Sequence, residues 1–295
     1  MKSQLKTRRS FLSHVAATAA IATAARLSPI VHAAPQLSKM RFGLVTYLWG
    51  QGMDLPTLID ACQKSGLKGV ELRTEHKHGV EPSLTAEQRE EVKLRFADSG
   101  VALIGYGSNC EFHSNDPANL KKNIELTKEY IRLMHDCGGE GVKVKPNGFV
   151  KDVPNEKTIE QIGLALNEVA AYGENFGQQI RVEVHGKGTS ELPVIRDLFR
   201  IANHPNVGVC WNSNAEDLNG AGLEANFQMV KDRFGTTCHV RELDDKEYPY
   251  ASLFKLFHSI DYEGWILLEA RTNPSDKIAA LTAQKALFDR LTSNG

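Results

Sequence analysis

The chain has 295 residues, with 35 basic and 36 acidic side chains, 41% hydrophobic residues and five cysteines. That near-neutral balance leaves no basic stripe of the kind nucleic-acid binding needs. Cys62, Cys110, Cys137, Cys210 and Cys238 are odd in number and form no CxxC pair. They therefore exclude a disulfide framework or zinc knuckle and read as small buried apolar residues.

Residues 1–33 read as a leader to be set aside before the fold is considered. Thr7-Arg-Arg-Ser-Phe-Leu12 is a twin-arginine signature, an Ala-rich run follows from Val15 to Ala25, and Val31-His-Ala33 closes it with a small-residue cleavage pattern. The apolar run, broken by Thr and Arg26, is too short for a stable membrane anchor. The expectation is a protein exported by the twin-arginine route to the periplasm or beyond the cell. Its mature part, residues 34–295, carries 30 basic against 36 acidic residues. About 260 residues is the usual size of one (β/α)8 barrel.

From Arg41 onward, β-rich runs alternate with amphipathic segments. Strands are predicted at Phe42–Tyr47, Gly69–Leu72, Ala102–Tyr106, Gly141–Lys145, Ile180–Val184, Val207–Trp211, Thr236–Val240 and Trp265–Leu268. Helix starts stand between them. Asp54-Leu-Pro56 places Pro in a first turn, Thr85-Ala-Glu-Gln88 is a capping box, Asp116-Pro117 opens a long helix ended by Gly138-Gly139, and Pro154-Asn155 opens the next. Eight strand–helix repeats without a linker predict a single (β/α)8 TIM barrel. The alternative, an open doubly wound sheet, needs a Gly-rich turn after its first strand, and Gly50-Gln-Gly52 matches that poorly. GxSxG and HExxH are absent, and Gly186-Lys-Gly-Thr-Ser190 is not a phosphate loop, so nucleophilic hydrolysis and nucleotide binding find little support.

The last four strands carry the chemistry. Glu183, Asn212, His239 and Glu269 fall near their C-terminal ends, 29, 27 and 30 residues apart. One βα unit takes roughly 30 residues, so each occupies the same point of successive units. Closed into a barrel, they converge on the mouth where such folds do chemistry. Two Glu, one His and one Asn make a donor set for one divalent cation, whether Mn, Mg, Co or Zn. Strand alternation places Arg181 and His185 on the face of Glu183, Arg241 one step above His239, and Lys145 on the face of Lys143. His185, Arg241 and Lys145 thus join the substrate pocket, where they can hold hydroxyls, a carboxylate or a phosphate. His113 after the third strand and Trp49 after the first are further substrate candidates, the Trp as a stacking surface for a sugar face. Glu71 reads as a structural pairing inside the barrel, and His76 and His78 as members of a polar loop.

The order of these polar strand ends resembles the xylose isomerase-like TIM-barrel superfamily of sugar and sugar-phosphate isomerases and epimerases. The phrases Val182-Glu-Val-His-Gly186 and Gly264-Trp-Ile-Leu-Leu-Glu269 are similar to family phrases, and the likeness spans Arg41 to about Leu291. It implies metal ligation by Glu183, Asn212, His239 and Glu269, with Asn212 standing where the family has Asp. It also implies proton exchange by Glu183 and Glu269 on opposite substrate faces, next to a carbonyl. The expected partner is a small-molecule sugar; an oligomer is compatible with the sequence, and neither nucleic acid nor a membrane anchor is expected. A lyase or dehydratase on a keto-sugar or cyclitol, or a carbohydrate-binding barrel without catalysis, are the alternatives.

Overall fold

The structure is a computed structural model in which residues 38–293 are described. The twin-arginine leader expected at 1–33 lies outside the described residues. Eight parallel strands wind around one axis: β1 (Arg41–Val45), β2 (Gly69–Arg73), β3 (Ala102–Gly107), β4 (Gly141–Val144), β6 (Gln179–Glu183), β8 (Val207–Cys210), β9 (Thr237–Val240) and β10 (Trp265–Leu268). Two-residue strands β5 (Asn147–Gly148) and β7 (Gly186–Lys187) pair at the rim. The sheet order is β8-β6-β4-β3-β2-β1-β10-β9, with every pair parallel. The seam between β8 and β9 closes through backbone bonds from Gly235 N–H to Val209 O at 2.8 Å and His239 N–H to Trp211 O at 2.7 Å. Closure excludes the open doubly wound sheet.

The helices begin and stop for local reasons. In α1 (Leu55–Ser65), Asp54 accepts from the Thr57 N–H and Gly66 ends the helix in the left-handed region. Helix α2 (Ala86–Ser99) starts on the expected reciprocal capping box of Thr85 and Gln88. Helix α3 (Pro117–Cys137) is capped by Asp116 and stopped by Gly138. Helices α4 (Asn155–Glu174), α5 (Leu192–Ile201), α6 (Leu223–Val230), α7 (Tyr250–Ser259) and α8 (Lys277–Thr292) complete the outer ring. Among the described residues no helix is long and apolar enough to cross a membrane.

Two apolar regions result from strand alternation. The outward faces of the strands and the inner faces of the helices make the large core. Inside the barrel, Val45, Ile104, Trp265 and Leu267 form a separate plug. The plug and the Arg181 side chain fill the lower barrel only because the opposing wall is glycine. A Cβ on Gly69 would lie 2.4 Å from the Ile104 side chain and 2.8 Å from Trp265, and one on Gly105 would lie 2.7 Å from an Arg181 nitrogen. Above the plug the interior turns polar, and that layer is the floor of the mouth.

Candidate metal centre and its cavity

Three strand ends meet above the plug. Glu183 ends β6, His239 lies in β9, and Glu269 follows β10. One ligand atom from each lies within 4.8 Å of the others. His239 Nδ1 stands 3.7 Å from Glu183 Oε1 and 3.7 Å from Glu269 Oε2.

Each of these side chains is held from behind. His239 Nε2 is 3.1 Å from Glu71 Oε1 on β2, and both side chains are fully buried. Burial raises the Glu71 pKa, but His239 outweighs it and leaves the carboxyl below its ordinary range, so it is ionised and accepts. Burial lowers the His239 pKa, but Cys210, Glu71 and Glu183 raise it well above its ordinary value, so without an ion the ring is protonated. Nε2 donates to Glu71, and Nδ1 points between the two glutamates, buried and without a hydrogen-bond partner. A bound cation would replace its proton there. A carboxylate behind the imidazole is the arrangement that orients a metal-bound histidine. Lys143 Nζ, fully buried on β4, meets Glu183 Oε2 at 2.5 Å, and Arg73 Nη1 meets Glu269 Oε1 at 2.6 Å. Burial opposes ionisation of Glu183, yet Lys143 first and His239 second overcome it and hold the carboxyl well below the usual range. Each glutamate thus keeps one oxygen for a cation of the protein and turns the other toward His239 Nδ1. Two carboxylate oxygens and one imidazole nitrogen, the last buried without a hydrogen-bond partner, are the donor chemistry of a divalent transition-metal site with open positions. The residues fit such an ion.

Asn212 reaches the same point in another role. Its Nδ2 donates to Glu183 Oε1 at 3.1 Å and to Val184 O at 3.4 Å. Both partners are acceptors, so the amide faces Glu183 with its nitrogen, whereas the sequence assigned it a ligating oxygen. Asn214 donates to the same Val184 carbonyl at 2.6 Å.

A cavity of about 240 Å³ opens over the three donors, lined by Glu183, Glu269, Asn212, Arg73 and Tyr47, with Lys145, His185 and Arg271. Lys145 and His185 are where the sequence placed them. Burial lowers the pKa of both; Lys143 lowers Lys145 further, while Glu183 partly offsets the effect on His185. Three substrate candidates fall elsewhere. Trp49 is buried, donates from its indole to Thr272 O at 2.9 Å, and lines a neighbouring cavity of about 510 Å³ together with Arg241. The loop after β1 folds outward over α8, which carries the Trp away from the centre. His113 stands 4.0 Å from Glu111 and does not line the cavity. Glu71 is the interior pairing expected. His78 bonds the Arg73 carbonyl at 2.8 Å, a loop role.

The sequence reading left out Arg73, Lys143, Tyr47 and Arg271 as site residues. Their signal was available: Arg73 and Arg271 each stand two residues beyond an inward glutamate, and Lys143 two before Lys145.

The profile of the xylose isomerase-like TIM barrel family matches residues 59–288. The chain belongs to that family. Solved structures with the same fold include the apo form of 3-keto-D-glucoside 4-epimerase from E. coli, 12% identical, covering 85% of this chain and 99% of that one at a TM-score of 0.72. An L-ribulose 3-epimerase is 15% identical over 86% of this chain and 94% of its own, at 0.73. The IOLI protein with a bound zinc atom is 14% identical over 86% and 98%, at 0.72. No curated protein matches the chain in sequence.

Proposed function

We propose that this protein is a divalent-metal-dependent isomerase or epimerase that moves a proton at a carbon next to the carbonyl of a sugar or keto-sugar. The observation that carries the reading is the convergence of Glu183, His239 and Glu269 around an unsatisfied buried nitrogen, beneath a cavity of small-molecule size. Fold neighbours that act on sugars, and one that holds zinc, support it. Glu183 Oε1, His239 Nδ1 and Glu269 Oε2 would hold the ion. When bound there, a cation supplies Lewis acidity to adjacent substrate oxygens and stabilises negative charge developing on them.

The residues of the chain do the rest. Glu183 and Glu269 approach the cavity from different strands, and each can take or return a proton on its own side of the substrate. Lys143 keeps Glu183 ionised, hence ready to accept, and Arg73 fixes the direction of Glu269. Glu71 holds the His239 ring. Asn212 anchors the Glu183 oxygen that faces the centre. The twin-arginine motif at Arg8-Arg9 supports export as a further part of this proposal.

Glu183→Gln and Glu269→Gln each preserve size while removing the base, so turnover should fall by about 10² to 10⁴. Metal content is measured in each variant, so that loss of ion and loss of base are told apart. Wild-type protein incubated with a ketose panel in deuterated water should place deuterium on carbon. Absence of exchange with every sugar in metal-loaded protein, or full activity in both Gln variants, would remove the reading.

A further inference from the structure

The inward positions form two storeys. The lower one holds Glu71, Lys143, Glu183, His239 and Glu269; two residues further along the same strands stand Arg73, Lys145, His185, Arg241 and Arg271. Four of these five, Arg73, Lys145, His185 and Arg271, line the cavity over that floor, because strand residues two apart share a face.

The acids below are already matched. Glu183 is paired by Lys143, Glu269 by Arg73, and Glu71 by His239. That leaves Lys145, His185 and Arg271 lining the cavity. Among the described residues neither Lys145 nor Arg271 has a carboxylate within ion-pair distance, and the only side-chain bond of Lys145 is a 3.5 Å contact to the neutral Asn109. His185 Nδ1 is buried without a partner. Lys145 is half-buried among cations, which by itself is unfavourable: burial and Lys143 both push its pKa down. A cavity wall that gathers positive charge beyond what its own acids neutralise is complementary to an incoming anion.

We propose that the substrate carries an oxyanion, either the carboxylate of a sugar acid or a phosphate monoester, which Lys145 and Arg271 hold at the rim with His185 beside them. This deepens the proton-transfer reading of the same site by naming its substrate class. The small cavity puts the anion within a few carbons of the Glu183–His239–Glu269 centre. The charged end is thereby a handle that orients the sugar's carbonyl over the acids. Arg241 lines only the neighbouring cavity, which also holds Glu242, Asp244 and Asp245 and whose wall Arg271 shares.

Calorimetric titration of the purified protein tests this without turnover. Probes are glucose, glucuronate, glucose 6-phosphate and inorganic phosphate, each at low and at moderate salt. At least one anionic sugar should bind about tenfold or more tighter than glucose, and its affinity should fall about tenfold in Lys145→Gln or Arg271→Gln. Glucose affinity should fall by a much smaller factor than that of the anion in those variants. The glucuronate and glucose 6-phosphate arms decide between carboxylate and phosphate. Arg271 is exposed, so its variant remains informative if Lys145→Gln misfolds. Equal affinity for glucose and both sugar anions, or anion binding unaltered in Arg271→Gln, overturns the proposal. Either failure leaves deuterium exchange on a neutral ketose untouched, so it is separate from failure of the isomerase reading.

Discussion

At the scale of single residues, the polar interior divides into groups satisfied by neighbours and groups left open. Asp217 combines both, one oxygen satisfied and the other open, and has a measurable signature. It is fully buried, accepts from Tyr248 OH at 2.6 Å and from the Asn214 N–H at 2.9 Å, and Tyr248 in turn accepts from the Trp211 indole at 2.9 Å. Its Oδ1 has no partner. Burial lifts its pKa to about 7 from an ordinary 3.8, although the bond from Tyr248 opposes the rise. A carboxyl raised in the folded state stabilises fully below its unfolded value and loses that contribution as pH climbs through the folded one. Between pH 4 and 7 the folded chain thus holds a proton the unfolded chain has released, and stability declines by on the order of a few kcal/mol. Asp217→Asn cannot ionise and keeps an acceptor for Tyr248. The melting temperature of wild type relative to this variant should drop as pH rises from 4 to 8; parallel pH curves would mean that Asp217 is ionised in the native protein.

At the scale of elements, the barrel wall depends on strands approaching closely where side chains are missing. A Cβ on Gly105 would lie 2.5 Å from the Gly141 carbonyl oxygen in the next strand, and that backbone cannot move without disturbing the β3–β4 ladder. Gly105→Ala should cost about 1–3 kcal/mol in urea unfolding, whereas Gly52→Ala, with nothing within 4 Å of the added carbon, should cost far less. Comparable losses in the two would remove the close-approach argument. Gly105 also marks a limit of what the sequence reveals. The eight strands were legible because β-branched runs alternate with capped helices at a regular interval, and no observed bound differs from the expected one by more than two residues. The register shift of β3 against β2, between Val70 and Glu71, was not legible, since a bulge leaves no periodic trace in so short a run. The rim pairing of β5 with β7 was likewise hidden. It involves two residues a side and depends on Gly186 at φ 100°, whose added Cβ would strike Asn147. Strand alternation points Glu183, His239, Glu269, Lys145 and His185 inward, and the structure places them at or around one cavity. Trp49 and His113 stand on loops, where alternation gives no direction, and lie with Arg241 outside that cavity. Asn212 faces Glu183 with its amide nitrogen, an orientation that a neighbouring acceptor decides.

At the scale of the whole molecule, the three donors come from strands far apart in sequence and are assembled only by closure of the barrel. The unfolded chain therefore offers no equivalent site, and a cation that binds the native state should stabilise it by mass action. With free ion at about 100 times its dissociation constant the gain is roughly 2.7 kcal/mol, about 5–10 °C in melting temperature for a domain of this size. Scanning calorimetry with Mn, Mg, Co or Zn should show that rise for at least one of them, and chelation should reverse it. His239→Ala removes the unsatisfied Nδ1 and should abolish the rise at the same ion concentration. Asn212→Asp is the sharper probe. It replaces an amide that donates to Glu183 by a carboxylate that cannot, so without an ion it places two negative groups 3.1 Å apart and should destabilise the protein. With an ion the same carboxylate adds an oxygen donor and a negative charge, which raises affinity for a hard cation. The variant should therefore melt lower than wild type in chelator and show a larger ion-induced rise. No shift in wild type with any of the four metals would mean that Lys143 and Arg73 already neutralise the two glutamates too fully for a divalent ion to compete.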